Sequence, residues 1–267
     1  VRAAGRHARH GQGFVAGSLL GALGGLAGLS AGGLRSFLVA DLVGRERPQG
    51  FIVGQAMSLL AVACALLFRA SAIPLDLLVD HADVLAYLLA GSLAGDWWAA
   101  GSVAALSRRR LDRAVVLLLA LGGLWLLLLA AVPAPALAAP DPLRQALGVL
   151  AGVAVGMATA VLGVVGSALL IPVLVLLYGI ELKVAGSLAL LVSLPTLVTG
   201  FMRHARVQAL DGLRRERALV GWMAAGGVAG AALGALLLGL VPAQALLVPP
   251  GLVLLAGAVK VHRAARP

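Results

Sequence analysis

Gly163 to Gly179 reads GVVGSALLIPVLVLLYG, and 135 positions earlier Gly28 to Gly44 reads GLSAGGLRSFLVADLVG. The earlier stretch is a worn copy of the later one, and the same offset holds well beyond both. Gly17 falls on Gly152, Gly21 on Gly156, Leu34 on Leu169, Gly44 on Gly179 and Glu46 on Glu181. Farther along, Ala90-Gly91 falls on Ala225-Gly226, Ala94-Gly95 on Ala229-Gly230, and Gly122 on Gly257. A register kept without a gap from Gly17 to Gly122 marks an internal duplication. Two similar halves in an apolar chain are the usual build of a secondary transporter.

The chain has 267 residues, 61% of them hydrophobic and 12% charged. An average soluble domain carries roughly 25% charged residues, so this chain lacks the polar surface to cover a soluble globule. Val115 to Ala131 and Ala218 to Leu240 carry no charge, and such runs match the length that crosses about 30 Å of hydrocarbon. The composition implies a polytopic, all-α integral membrane protein. A net charge of +10 would suggest a nucleic-acid partner in a soluble protein. Here the basic residues sit in short loops between apolar runs, where they report orientation; the expected surroundings are a lipid bilayer and no nucleic acid. The single cysteine, Cys64, lies inside an apolar run, which excludes an internal disulfide, a CxxC pair and a zinc cluster and reads as packing. VRAAGRHARHG at the start is basic but lacks an A-x-A site, so no removable signal peptide is expected.

Along the chain, Val1 to His10 reads as a basic tail. Gly13 to Gly44 is long and crowded with glycine at Gly24, Gly25, Gly28, Gly32 and Gly33. Gly50 to Phe68 is a plain span, Arg69 to Asp83 an acidic loop, Val84 to Leu106 a span, Ser107 to Arg113 basic, and Ala114 to Val132 a span. The second half repeats the plan with Leu143 to Tyr178, Val184 to Met202, the basic loop Arg203 to Arg217, Ala218 to Leu240 and Gln244 to Val261. Pro249-Pro250 predicts a kink or a late helix start there. The expected organisation is a first transmembrane repeat over 11–132, a Pro/Ala-rich linker over 133–142 and a second repeat over 143–262, together one integral domain.

Charge decides how the two long glycine-rich segments run. If each crosses the membrane once, giving eight spans, lysine and arginine divide 13 to 7 between the faces, leaving Arg35 aside. If each folds back as a re-entrant hairpin, leaving six full spans, they divide 17 to 3, with only Arg69, Arg144 and Lys183 on the poorer face. The second arrangement obeys the positive-inside rule far better and places both termini in the cytoplasm. Three full spans per half also make the repeats inverted, the pattern of alternating-access carriers. The expected fold is therefore two inverted repeats, each a Gly-broken hairpin plus three transmembrane helices, with eight hydrophobic segments in all.

A hairpin tip within the membrane exposes backbone groups that only protein or a water-filled cavity can satisfy. Glycine suits such a tip, because it admits unusual dihedrals and close approach of a ligand. The returning half-helices, starting near Gly33 and Ala168, would present N–H groups and the positive dipole end, which together attract an anion. The inferred cargo is a small anion. The competing reading is that glycines simply let helices pack closely, and it is the stronger one for Gly226, Gly227, Gly230 and Gly234.

Gly163-x-x-Gly166-Ser167, Pro172 and Ala185-Gly186-Ser187-Leu188 resemble the sulfite exporter TauE/SafE family. Its repeats are similar to GxGGG, a proline nine residues after the first glycine, and a following A-x-(T/S)-S-L-like helix start. Val165 and Ser167 stand where two of the glycines would be; the first half keeps Gly28 and Gly32, with Ser30 and Ala31 between them and Phe37 at the proline position. The likeness covers nearly the whole chain through the duplicated plan. It implies export of sulfite, organosulfonates or related sulfur oxyanions across a bacterial cytoplasmic (inner) membrane. The candidate substrate-binding residues are Gly28, Ser30, Gly32, Gly33, Arg35 and Ser36 in the first half, with Gly163, Gly166, Ser167, Pro172 and Ser187 in the second.

Arg35 follows the first break, and an intramembrane arginine is a functional hypothesis by default. Its fork could neutralise a sulfonate or pair with Asp96 or Asp41. Asp96 is the candidate proton-coupling group, since a desolvated carboxylate can titrate near neutral pH; a structural partner is the competing reading. Trp97 and Trp98 read as packing or interfacial aromatics, His204 as a solvated loop residue, and Ser187 as a cap or a cargo contact. No H-E-x-x-H, Walker loop, Ser-His-Asp pattern or metal-spaced cluster appears, so no enzyme, cofactor or metal is expected. A homo-oligomer is compatible with the sequence. The rivals to a carrier are an anion channel on the same scaffold and a non-transporting membrane assembly partner.

Overall fold

The computed structural model describes residues 2–29, 47–71, 73, 75–102, 108–131, 140–162, 166–204 and 217–264. Ten helices account for nearly all of them: α1 Arg2–Ala27, α2 Arg47–Ala70, α3 Leu75–Val79, α4 Ala82–Ser102, α5 Arg108–Ala131, α6 Asp141–Leu162, α7 Gly166–Tyr178, α8 Leu182–His204, α9 Arg217–Leu237 and α10 Ala243–Ala264. Three stretches are long and apolar enough to cross a membrane by length and composition: Asp141–Ala160, Leu182–Met202 and Ala218–Leu237. Shorter apolar helices run over Gly11–Ala27, Ala56–Ala70, Val116–Ala131, Gly166–Tyr178 and Ala245–Val259. The fold is all-helical and multi-pass. Its polarity is arranged for lipid, with Leu67, Trp97, Trp98, Leu150, Leu236 and Leu240 turned outward while Ser58, Arg69, Ser92, Asp96, Ser167 and Ser187 are buried.

Glycine sets the helix pairing. On α1, a Cβ at Gly17 would strike the Met223 carbonyl of α9, one at Gly21 that of Gly227, and one at Gly25 that of Ala231. From the other side, Gly226 and Gly230 of α9 are closed off by the backbone of Phe14, Ser18 and Ala22. The paired numbers rise together, so α1 and α9 run parallel. In the same way Gly91 and Gly95 of α4 lie on Val149 and Val153 of α6, while Gly152 and Gly156 lie on Leu88 and Ser92. Adding 135 to Phe14 and Ser18 gives Val149 and Val153, so the second interface reproduces the contacts of the first. Such close approach gives van der Waals packing that longer side chains would prevent.

Helices α5 and α10 pair antiparallel: Gly123 faces Gly251 and Leu255, Gly251 faces Leu127, and Gly257 faces Leu119. The start of α5 and the end of the last helix therefore share one end of the molecule. Helices α6 and α7 form an antiparallel hairpin. Gly166 at the start of α7 sits against Thr159 near the end of α6, and the Tyr178 hydroxyl donates to the Arg144 carbonyl at 3.3 Å near the start of α6. The connection at 163–165 lies outside the described residues. Gly179 ends α7 at φ 66° and donates to the Val175 carbonyl, a left-handed cap that glycine adopts without the Cβ clash.

Helix α8 passes through the core, with Ala185, Leu188, Ala189, Leu190 and Val192 fully buried. Pro195 removes one backbone donor from it; nearby, Ser193 donates to the Ala189 carbonyl and Thr196 to those of Val192 and Ser193, holding backbone oxygens that water would otherwise serve.

Three expectations need correction. Residues 2–10, read as a tail, are helical and continue into α1, in keeping with the high helix propensity of Ala and Arg. Pro249-Pro250 neither delays nor ends α10, which begins at Ala243. The stretch read as an acidic loop from Arg69 begins inside α2 and holds α3. Arg69 is 1% exposed rather than solvated.

Candidate functional site

The site is built where three helix ends meet: the last turn of α1, the last turn of α2 and the first turns of α8. An α-helix leaves its last four carbonyls without intrahelical donors. At the end of α1, Gly28 takes φ 71° and donates to the Gly24 carbonyl at 2.9 Å, the same left-handed cap as at Gly179. The next two carbonyls are served from another helix: Arg69 Nη1 donates to Gly25 O at 2.7 Å and Leu26 O at 3.1 Å. A cation at a helix C-terminus also complements the macrodipole.

The rest of the guanidinium turns to α8. Arg69 Nε donates to Ser187 Oγ at 2.9 Å and Nη2 to the Lys183 carbonyl at 2.6 Å. The planar fork supplies this divergent set of donors in one fixed geometry, which an ammonium does not. Among the described residues no carboxylate pairs with Arg69, so its acceptors are neutral oxygens. Backbone lies on backbone beside it: a Cβ on Gly28 would collide with Gly186, and one on Gly186 would meet Arg69 Nη2 at 2.8 Å and the Ala27 carbonyl at 3.2 Å. A buried positive charge, a serine hydroxyl and a tight glycine turn are thus held together.

Of the candidate residues, Gly28 and Ser187 come together here. Ser187 lies in the second turn of α8, whose first residue is Leu182, so its hydroxyl accepts from Arg69 instead of capping the helix. Gly166, Ser167 and Pro172 are buried on α7. That helix has 13 residues, about 20 Å at 1.5 Å per residue; its far end at Tyr178 leads into α8, so Gly166 and Ser187 lie toward opposite ends of it. Gly166 packs on Thr159, and Pro172 lies beside the position of Gly122 on α5. Asp96 of α4 is buried, while Trp97 and Trp98 face outward, 78% and 58% exposed. Ser30, Gly32, Gly33, Arg35, Ser36 and Gly163 lie outside the described residues, as does the other proposed partner of Arg35, Asp41.

Arg69 is the residue that sequence reading missed. It ends an apolar run and precedes acidic residues, the usual setting of a solvated loop arginine. No local signal could have found it, because the helix end it serves lies 44 residues away along the chain. No group of three or more metal-ligating side chains occurs among the described residues. A protein-family model described as Sulfite exporter TauE/SafE matches residues 11–261. No curated protein and no solved structure matches the chain.

Proposed function

The chain belongs to the sulfite exporter TauE/SafE family, a family of membrane transporters, and from that premise we propose that it is a secondary carrier exporting a small sulfur oxyanion, sulfite or an organosulfonate. The observation that carries the reading is the family match over 251 residues of the 267. An anionic cargo is further supported by a buried guanidinium whose acceptors, among the described residues, are all neutral. With no nucleotide-binding motif in the sequence, an ion gradient or the membrane potential drives the flux.

The proposed architecture is two inverted repeats, 11–132 and 143–262, joined by 133–142, in the inner membrane with both termini cytoplasmic. Several features support it. Helix bounds repeat at the same offset for Ala82–Ser102 against Arg217–Leu237, and to within one residue for Arg47–Ala70 against Leu182–His204. The α1–α9 contacts recur in α6–α4, and α6 with α7 folds back as a hairpin. The proposed cargo contacts are the two glycine breaks, Gly28 to Ser36 and Gly163 to Pro172, with Ser187, and Asp96 carries the coupling proton.

Flux of a labelled sulfonate and of sulfite into proteoliposomes, with and without a pH gradient and beside a chloride control, tests the reading. Saturable, gradient-dependent flux is expected. Non-saturating conductance would mean a channel, and silence from folded protein toward every anion would mean a non-transporting membrane partner.

A further inference from the structure

We propose that the Arg69 cluster is a gate: in this conformation it locks the end of α1 onto the start of α8, and it must release for cargo to pass that face of the protein. The proposal rests on the transport reading above and adds how one side of the pathway is held shut.

The bonds divide cleanly between the two parts they join. Among the described residues Nη1 serves α1, through Gly25 and Leu26, while Nε and Nη2 serve α8, through Ser187 and Lys183. Separating α1 from α8 therefore costs one set of bonds and leaves the other intact, so Arg69 can stay with one helix while the other moves. Beneath the guanidinium, Gly28 rests on the Gly186 backbone with no side chain between. The junction is closed tightly, with Ala27 and Leu29 on either side of the turn buried in the same core as Leu182, Val184 and Ala185.

The lock also has no copy. The residue 135 positions after Arg69 is His204, and the residue 135 positions before Ser187 is Ile52. Neither residue type carries a guanidinium fork or a hydroxyl, so the pair is not repeated 135 positions away in the sequence. This pair breaks the likeness of the two halves where α1 ends.

The chemistry supplies a trigger. Carbonyls and a hydroxyl are neutral acceptors, whereas an oxyanion forms shorter and stronger bonds with a guanidinium. An oxyanion approaching Arg69 competes with the Gly25 and Leu26 carbonyls and loosens the α1 side of the lock. The gate thus opens in response to the charge class that the carrier moves.

Cysteine accessibility tests this on the full chain in proteoliposomes. Cys64→Ala removes the native thiol, and Leu29→Cys places a reporter just past the Gly28 turn, at a residue 3% exposed. The probe is a membrane-impermeant thiol reagent, with methanesulfonate as the anion and chloride as control. Slow modification is expected with Arg69 present, accelerated by methanesulfonate but not by chloride. Arg69→Gln should raise the basal rate at least about tenfold, the equivalent of one charged hydrogen bond, and abolish the response to the anion. Ser187→Ala, which removes one acceptor and keeps the charge, should give an intermediate rate and guards against failure of the Arg69 variant to fold. A merely structural arginine would not give an anion-dependent rate. Rates unchanged in both variants, or an anion response that survives Arg69→Gln, overturn the gate. Sulfonate flux is measured on the same vesicles: Arg69-dependent labelling without flux overturns the transport reading alone.

Discussion

Gly28 and Arg69 divide one task, the unpaired carbonyls at the end of α1. The glycine caps Gly24, and the arginine reaches from another helix to Gly25 and Leu26. Both residue types are required for physical reasons. At φ 71° any Cβ is strained, and here it would also meet the Gly186 backbone. Gly28→Ala should therefore lower the thermal midpoint in detergent by several degrees, on the order of 2 kcal/mol for backbone strain with overpacking. Gly11→Ala is the matched control, since nothing lies within 4 Å of its Cβ position; it should be neutral or stabilise by up to about 1 kcal/mol through helix propensity. Equal midpoints for the two variants would remove the role assigned to the turn. Gly28 was legible as a break in a glycine-rich run. Arg69 was not, because what it serves lies 44 residues away along the chain.

Among elements, the glycines that mark the duplication turn out to be those that let helices touch. Gly17, Gly21, Gly226 and Gly230 close one interface, and Gly152, Gly156, Gly91 and Gly95 close its counterpart. The packing reading given to Gly226 and Gly230 holds, and it extends to their first-half partners. Gly21→Leu and Gly156→Leu should each disrupt an interface, seen as loss of a monodisperse peak in size-exclusion chromatography or a thermal midpoint lower by about 5 °C or more. Gly221→Leu, on the open side of α9 with nothing within 4 Å, should behave as wild type. If Gly156→Leu were harmless while Gly21→Leu was not, the two interfaces would not be equivalent. Helix extents were largely readable from apolar runs, with α8 and α9 close to expectation. The ends were not: the basic stretch read as a tail is the start of α1, and α10 begins at Ala243, ahead of the proline pair that suggested a late start.

At the scale of the whole molecule, the pairing of α5 with α10 puts the start of α5 and the end of α10 together. Three exposed reporters on a Cys64→Ala background test what this means in a bilayer. Arg113→Cys and His262→Cys should react with an impermeant reagent from the same face, and Glu181→Cys from the opposite one. Labelling of positions 113 and 262 from opposite faces would restore eight single crossings and discard the hairpins. The sequence by itself determined the membrane class and the family, because composition and motif spacing are properties of the chain read along its length. It also favoured fold-back of the long segments, through the distribution of charge. Only the tertiary structure decided which glycines pack, that α6 and α7 lie antiparallel, and that a supposed loop arginine is buried across α1 and α8. Those outcomes depend on which carbonyls are left without donors once helices meet, and no local pattern records that.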